Sequence, residues 1–261
     1  MKKQFQIIGV LTLIWFSFFC TERTIFVIKN NDDIMIKINE EKEKYNTKST
    51  DSIIIKDTII PGLSGNIVNE EKSYEKMKRL GAYNPSLYIY NNVSPTITIN
   101  DNYNKYIVSG NTKKRNIYLI FAGNINQIRE VYRILNNDEI KATFLLEDKK
   151  YTEISKYINN RYDLIVTEKN NYKNIEKKVF CYNKNKEKSF LNYCVSNKYF
   201  SVQPQITIKD ELYKDIKNNA TSGLIILVKI NDKTKYEIPT VINYLKSKGY
   251  EISNLNDLVK E

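Results

Sequence analysis

Residues 222–229 read Ser222-Gly223-Leu224-Ile225-Ile226-Leu227-Val228-Lys229, and this stretch sets the fold class. Apolar residues run unbroken from Leu224 to Val228, so the strand they form must be covered on both faces. Helices supply that cover, which makes the class α/β with a parallel sheet or barrel. Downstream, Ile238, Val241, Ile242 and Leu245 recur at helical spacing, and Gly249 stands where a helix ends. Tyr250-Glu251-Ile252 then reads as a last strand and Asn254 to Lys260 as a last helix.

Upstream the same alternation holds. Asn116 to Phe121 is a strand, followed by Ile125, Ile128, Val131, Tyr132 and Leu135 on one helix face. Ile140 to Leu146 is a strand and Tyr151 to Asn159 a helix. Asp163 to Val166 and Val179 to Tyr182 are short strands, and Ile208 to Lys217 is helical. The main domain therefore covers 113–261. Residues 52–112 read as an accessory α+β unit, with strands at Ile53–Ile55 and Thr96–Ile99. Between them a helix over Glu70–Leu80 is capped by Asn69 and stopped by Gly81. In 22–51, two β-like runs, Thr24–Ile28 and Ile34–Ile38, flank a turn, and a polar linker follows.

At the N-terminus Lys2 and Lys3 precede an apolar run from Phe5 to Cys20, which Glu22 and Arg23 end. A basic start before such a run is an export signal. No small-x-small cleavage site stands out, so residues 1–21 are expected to stay as a signal anchor in the cell membrane. The chain would then be single-pass with its bulk extracytoplasmic. A cleaved signal, giving a secreted chain, and a lipid anchor on Cys20 are the alternatives.

Histidine is absent from all 261 residues. Imidazole bases, His-activated nucleophiles and His metal ligands are thereby excluded. Formal charge is +11, which fits an anionic partner or an Asn/Lys/Ile-rich composition. Two basic stretches stand out: Lys113-Lys114-Arg115, and 168–188, where seven Lys meet three Glu and Tyr172 and Tyr182 are interleaved. Export argues against nucleic acid, which leaves wall polymer, lipid headgroups or a plain solvated loop. Cys181 and Cys194 can form a disulfide in an exported protein, or remain two structural thiols.

Three segments resemble the polysaccharide deacetylase family, the NodB-homology domains. Asn116 to Phe121 with Ile140-Lys-Ala-Thr-Phe144 is similar to the family's opening strand and its K-A-T-F-F strand. Ser222 to Lys229 is similar to its G-S-I-I-L-L-H strand, and Ile238 to Tyr250 to its closing helix and strand. The resemblance implies a distorted (β/α) barrel, here with an N-terminal accessory segment and a membrane anchor. It also implies a metal-dependent activity on N-acetylated wall sugars.

The family's functional residues do not carry over. Its T-F-D-D motif matches Ile120-Phe121-Ala122-Gly123, so both carboxylates are gone. Its H-x-x-x-H pair matches Thr167 to Asn171, with Glu168 the acidic member, and its late histidine matches Lys229. Removal of every motif ligand leaves nothing to polarise an acetamide or activate water. The expectation is no cofactor, no metal, no catalytic residue, and vestigial positions Ala122, Gly123, Glu168 and Lys229. Strand ends on the working face of such folds offer Asn124, Glu147, Tyr182 and Gln203 as ligand-binding candidates. Expected partners are cell-wall glycan or an anionic envelope polymer. The alternatives are an active N-deacetylase with a rearranged site, hydrolysing carbon–nitrogen bonds of acetylated sugars, and an interaction module docking on anionic polymer or a partner protein.

Overall fold

The structure is a computed structural model that describes residues 2–148, 150–169 and 179–260. Helices in chain order are α1 (Lys2–Asn30), α2 (Asp33–Glu41), α3 (Glu70–Leu80), α4 (Ile125–Asn137) and α5 (Tyr151–Tyr157). Then come α6 (Lys188–Ser196), α7 (Leu212–Asn219), α8 (Asp232–Ser247) and α9 (Leu255–Leu258). Strands are β1 (Ile53–Ile55), β2 (Thr58–Ile60), β3 (Gly65–Val68), β4 (Tyr90–Val93), β5 (Tyr106–Ile107), β6 (Asn116–Gly123) and β7 (Ala142–Leu146). The remainder are β8 (Tyr162–Val166), β9 (Val179–Cys181), β10 (Phe200–Val202), β11 (Ile206–Ile208), β12 (Ile225–Lys229) and β13 (Glu251–Ser253).

Contacts divide the chain into two units, Met1–Ser49 with Gly65–Val93, and Thr50–Ser64 with Ser94–Glu261. This division does not follow the expected boundaries at 52 and 113. Residues 52–112 are shared, because β1, β2 and β5 pair into the main sheet while α3 and the β3–β4 hairpin belong to the first unit.

In the first unit, residues expected as two β-like runs are helical. Ile34, Met35 and Ile38 lie on one side of α2, and the buried cluster of Ile34, Ile38, Val68, Met77 and Tyr88 overrides their β-branched preference. Asp32, expected in a turn, caps α2 by accepting from the Ile34 amide at 3.0 Å. The expected linker from 39 is occupied by the end of α2 and a 3-10 turn over Lys42–Lys44. Helix α3 matches its expected bounds, with Asn69 accepting from the Lys72 amide at 3.0 Å and Gly81 left-handed at φ 78°. Among the described residues no helix is long and apolar enough to cross a membrane.

The second unit is a curled half-barrel sheet of eleven strands in the order β1-β2-β5-β10-β9-β8-β7-β6-β12-β11, with β13 also on β6. All its pairings are parallel except β1–β2. Alternation along each strand supplies two cores. Ile117, Leu119 and Phe121 of β6 face one core, shared with α4 and α8; Tyr118, Ile120 and Ala122 face the other, inside the curl. Residues expected as a helix from Ile208 begin as the edge strand β11, and α7 starts only at Leu212. The expected strand at Thr96–Ile99 is absent: Asp51 accepts from the Thr96 and Ile97 amides, and a 3-10 turn follows over Ile99–Asp101.

Helix α9 closes the inner core at the end where the parallel strands begin. Its Leu255 amide donates to Thr143 Oγ1 at 3.0 Å and its Asn256 amide to Asp163 Oδ2 at 2.7 Å. Asp163, 3% exposed, is thus tied to the first turn of α9. Asp257 on α9 pairs with Lys141 at 2.6 Å and Lys260 at 2.8 Å. Burial pushes the Asp257 carboxyl up, but these lysine hydrogen bonds prevail and hold it below the usual aspartate range. A depressed folded-state value stabilises the protein above the unfolded aspartate value and is lost as pH falls through the folded one. Asp257→Asn is therefore expected to lower stability at neutral pH and to shrink the loss seen below about pH 4, measured by urea denaturation across pH.

Candidate functional site

The candidate site is the mouth formed by the C-terminal ends of β6, β7, β9, β10 and β12. Ala122, buried near the end of β6, is flanked in register by Leu145 of β7 and Lys229 of β12. One residue past β7, Glu147 anchors its amide to the Gly123 carbonyl at 2.9 Å. Its carboxylate forms an ion pair with Lys229 Nζ. These two side chains come from the strands on either side of β6, so the pair spans the end of β6 at Ala122 and Gly123. Both charges are partly exposed, so the pair is worth at most about 1 kcal/mol in stability. Its significance is occupancy, since each charge already has its partner.

Gly123 is tightly surrounded. A Cβ there would lie 2.7 Å from Gln127 Oε1 and 3.2 Å from Ile230 Cδ1. Gln127 belongs to a capping box at the start of α4: Asn124 Oδ1 accepts from the Asn126 and Gln127 amides, and Gln127 Oε1 accepts from the Asn124 amide at 2.9 Å. Gln127 Nε2 also donates to the Ile230 carbonyl at 3.0 Å. Asn124, a ligand candidate in the sequence, is thus engaged as a helix cap. Asp148, adjacent to Glu147, caps the same helix through the Ile125 amide at 2.9 Å. This second cap was not foreseen, although an Asp after a strand and beside a helix start is a usable signal.

Across the mouth, Tyr182 rests half-buried on the inner core, its amide donating to the Val166 carbonyl at 2.9 Å. Gln203 donates from its amide to the Ile107 carbonyl at 2.8 Å and from Nε2 to the Asn183 carbonyl at 2.8 Å. Gln203 therefore ties two strand ends together, while Tyr182 packs half-buried against the inner core. Glu168 lies half-buried two residues past β8. Asn170 and Asn171 of the matched H-x-x-x-H positions, and the 170–178 part of the second basic stretch with Tyr172, lie outside the described residues.

Cys181 and Cys194 are joined in a disulfide with Cα atoms 6.4 Å apart, tying β9 to α6. Of the first basic stretch, Arg115 is structural: its guanidinium donates to the Lys248 carbonyl at 2.7 Å and sits 5.2 Å from the centre of the Tyr250 ring. Among the described residues no group of three or more Cys, Asp or Glu is placed to hold a metal ion. The mouth can offer a tyrosine face and hydrogen-bonding groups. Among its described carboxylates, Glu147 pairs with Lys229 and Asp148 accepts from the Ile125 amide.

This architecture is similar to known structures. Over 88% of this chain and 96% of the other, it superposes with TM-score 0.67 and 20% identity on a CE4 family pseudoenzyme from Bacillus anthracis. The chain has the family 4 carbohydrate esterase fold. PdaA of Bacillus subtilis, a family 4 carbohydrate esterase, aligns over 60% of this chain and 86% of its own at TM-score 0.50 and 16% identity. By sequence the chain is 28% identical over 127 residues to the uncharacterized protein YlxY of Bacillus subtilis (strain 168). That match takes in 48% of this chain and 40% of YlxY, less than half of either. No family model matches. The fold is the deacetylase one in a degenerate form, with alanine, glycine and lysine at motif positions.

Two outcomes follow for this deacetylase-like mouth. Gly123→Asp, which reinstates a motif carboxylate, displaces Gln127 and weakens the α4 cap, so thermal or urea denaturation should show a loss of roughly 1–2 kcal/mol. Cys194→Ser should cost about 3 kcal/mol, and the cost should vanish when both proteins are compared in reductant.

Proposed function

We propose that this chain is an exported, membrane-anchored, non-catalytic deacetylase-like protein that binds cell-wall glycan at the barrel mouth. The observation that carries the reading is the Glu147–Lys229 ion pair at the end of β6, where the family's matched positions would hold a base and a metal. A lysine ammonium beside Ala122 repels a cation, and its carboxylate partner is committed to it. The chain has no histidine, and Ala122 and Gly123 stand at the matched carboxylate positions, so the groups that would hold a metal and activate water against an acetamide are missing from the motif. The Bacillus anthracis pseudoenzyme also exists as a mutant with restored enzymatic activity, so the scaffold is compatible with chemistry once its residues are changed. In this chain that change would have to remove Lys229 as well as restore carboxylates.

Glycan is the ligand class that the fold and the mouth chemistry favour together. A half-buried tyrosine face suits a sugar ring, and amide and charged groups suit its hydroxyls. Export is supported by the Cys181–Cys194 disulfide, which persists in oxidising compartments. Anchoring rests on the sequence of the first helix, Phe5 to Cys20 after Lys2 and Lys3.

The test uses the full chain purified in detergent. Zinc content is measured, with acetate release from a chitooligosaccharide and binding of that sugar. Expected are no stoichiometric zinc, no acetate, and sugar binding that falls at least tenfold in Tyr182→Ala and Lys229→Ala with melting temperature unchanged. Bound zinc with acetate release would overturn the reading. Binding that ignores both variants but collapses with salt would replace it with docking on an anionic polymer.

A further inference from the structure

The first unit carries a cluster of tyrosines that its small core does not need in full. Tyr88 is the buried hub, 7% exposed, inside the cluster of Ile34, Ile38, Val68 and Met77. Tyr45 packs on it with ring centres 4.9 Å apart, and Tyr90 at 6.3 Å. Tyr83 meets it edge-on at 6.3 Å, and the two hydroxyls lie 3.1 Å apart. Tyr45 and Tyr90 nevertheless remain 37% and 42% exposed. Each is fixed by the buried ring and open to solvent, which makes a rigid aromatic platform with little rotamer freedom left to lose on binding.

What surrounds the platform narrows the ligand. On the β3–β4 hairpin Tyr90 and Asn92 share a face by strand alternation, and Asn66 lies directly opposite Asn92. Both asparagines are exposed. The charges beside the cluster, Glu41 and Lys44, pair at 2.7 Å and cancel. Aromatic faces beside amides and a balanced charge fit a neutral pyranose, whose C–H face stacks on the rings while its hydroxyls and acetamides meet the amides. An anionic polymer would want unpaired cations, whereas Lys42 and Lys44, which precede Tyr45, pair with Glu70 and Glu41.

We propose that this tyrosine surface is a second carbohydrate-binding site, separate from the barrel mouth, that takes a neutral β-linked hexose or N-acetylhexosamine chain. The experiment titrates full chain in detergent with chitohexaose by calorimetry. In a Tyr182→Ala background, which removes the mouth's contribution, Tyr90→Ala and Tyr45→Ala should each weaken binding about tenfold or more, and Asn92→Ala several-fold. Tyr90→Phe, which keeps the ring, should stay within about threefold of the parent. Asn92 lies outside the core, so its variant decides the matter even where a tyrosine variant melts early. Affinity should be unchanged between low and high salt. Absence of chitohexaose binding overturns the proposal. So does binding that is insensitive to Tyr90, Tyr45 and Asn92, and if Tyr182→Ala alone abolishes it, the mouth reading stands while this one falls.

Discussion

Everything in the second unit depends on β6 being buried along both faces. The strand lies inside the sheet, hydrogen-bonded to β7 and β12 and, at its start, to β13. Its odd-numbered residues from Ile117 to Phe121 anchor the helical layer, and its even-numbered ones from Tyr118 to Ala122 fill the curl. Between Ile117 and Gly123 no residue of β6 faces water, so the polar side chains at this end are those just past the strand. That is why Asn124, Glu147 and Asp148 crowd the same small region.

Crowding then decides what these side chains do. Two of them, Asn124 and Asp148, are drawn into capping α4, because the amides at a helix start must be satisfied. Glu147 is drawn to Lys229. Inside the curl, Asp163 is drawn to the start of α9. At the mouth, the carboxylates of Glu147 and Asp148 each have a partner supplied by the folded chain, Lys229 and the Ile125 amide.

The middle of the domain was legible in the sequence because β6, β7 and β12 are almost wholly apolar and the helices beside them amphipathic; α3 is recovered to the residue, and Leu224 to Val228 set the class. Legibility failed where apolar residues do not distinguish helix from strand. Ile34, Ile36 and Ile38 alternate like a strand, yet Ile34 and Ile38 are one helical turn apart and meet the same core. It failed also where pairing is long-range: β5 and β10 are two and three residues long and exist because the strands beside them do. At the mouth, the lost motif residues were visible as absences. The pairing of Glu147 with Lys229 was not, since it joins residues 82 positions apart.

The altered mouth differs from a simple deletion of ligands. A carboxylate-to-alanine change at position 122 alone would leave the rest of a site intact and reversible. Here glycine at 123 admits Gln127 to the space a side chain would need, and Gln127 in turn holds both the α4 cap and the Ile230 carbonyl. Lysine at 229 brings a positive charge to the same end of β6 and engages the nearest carboxylate. The end of β6 is thus filled by hydrogen bonds and an ion pair of its own, which the motif side chains, if put back, would first have to break.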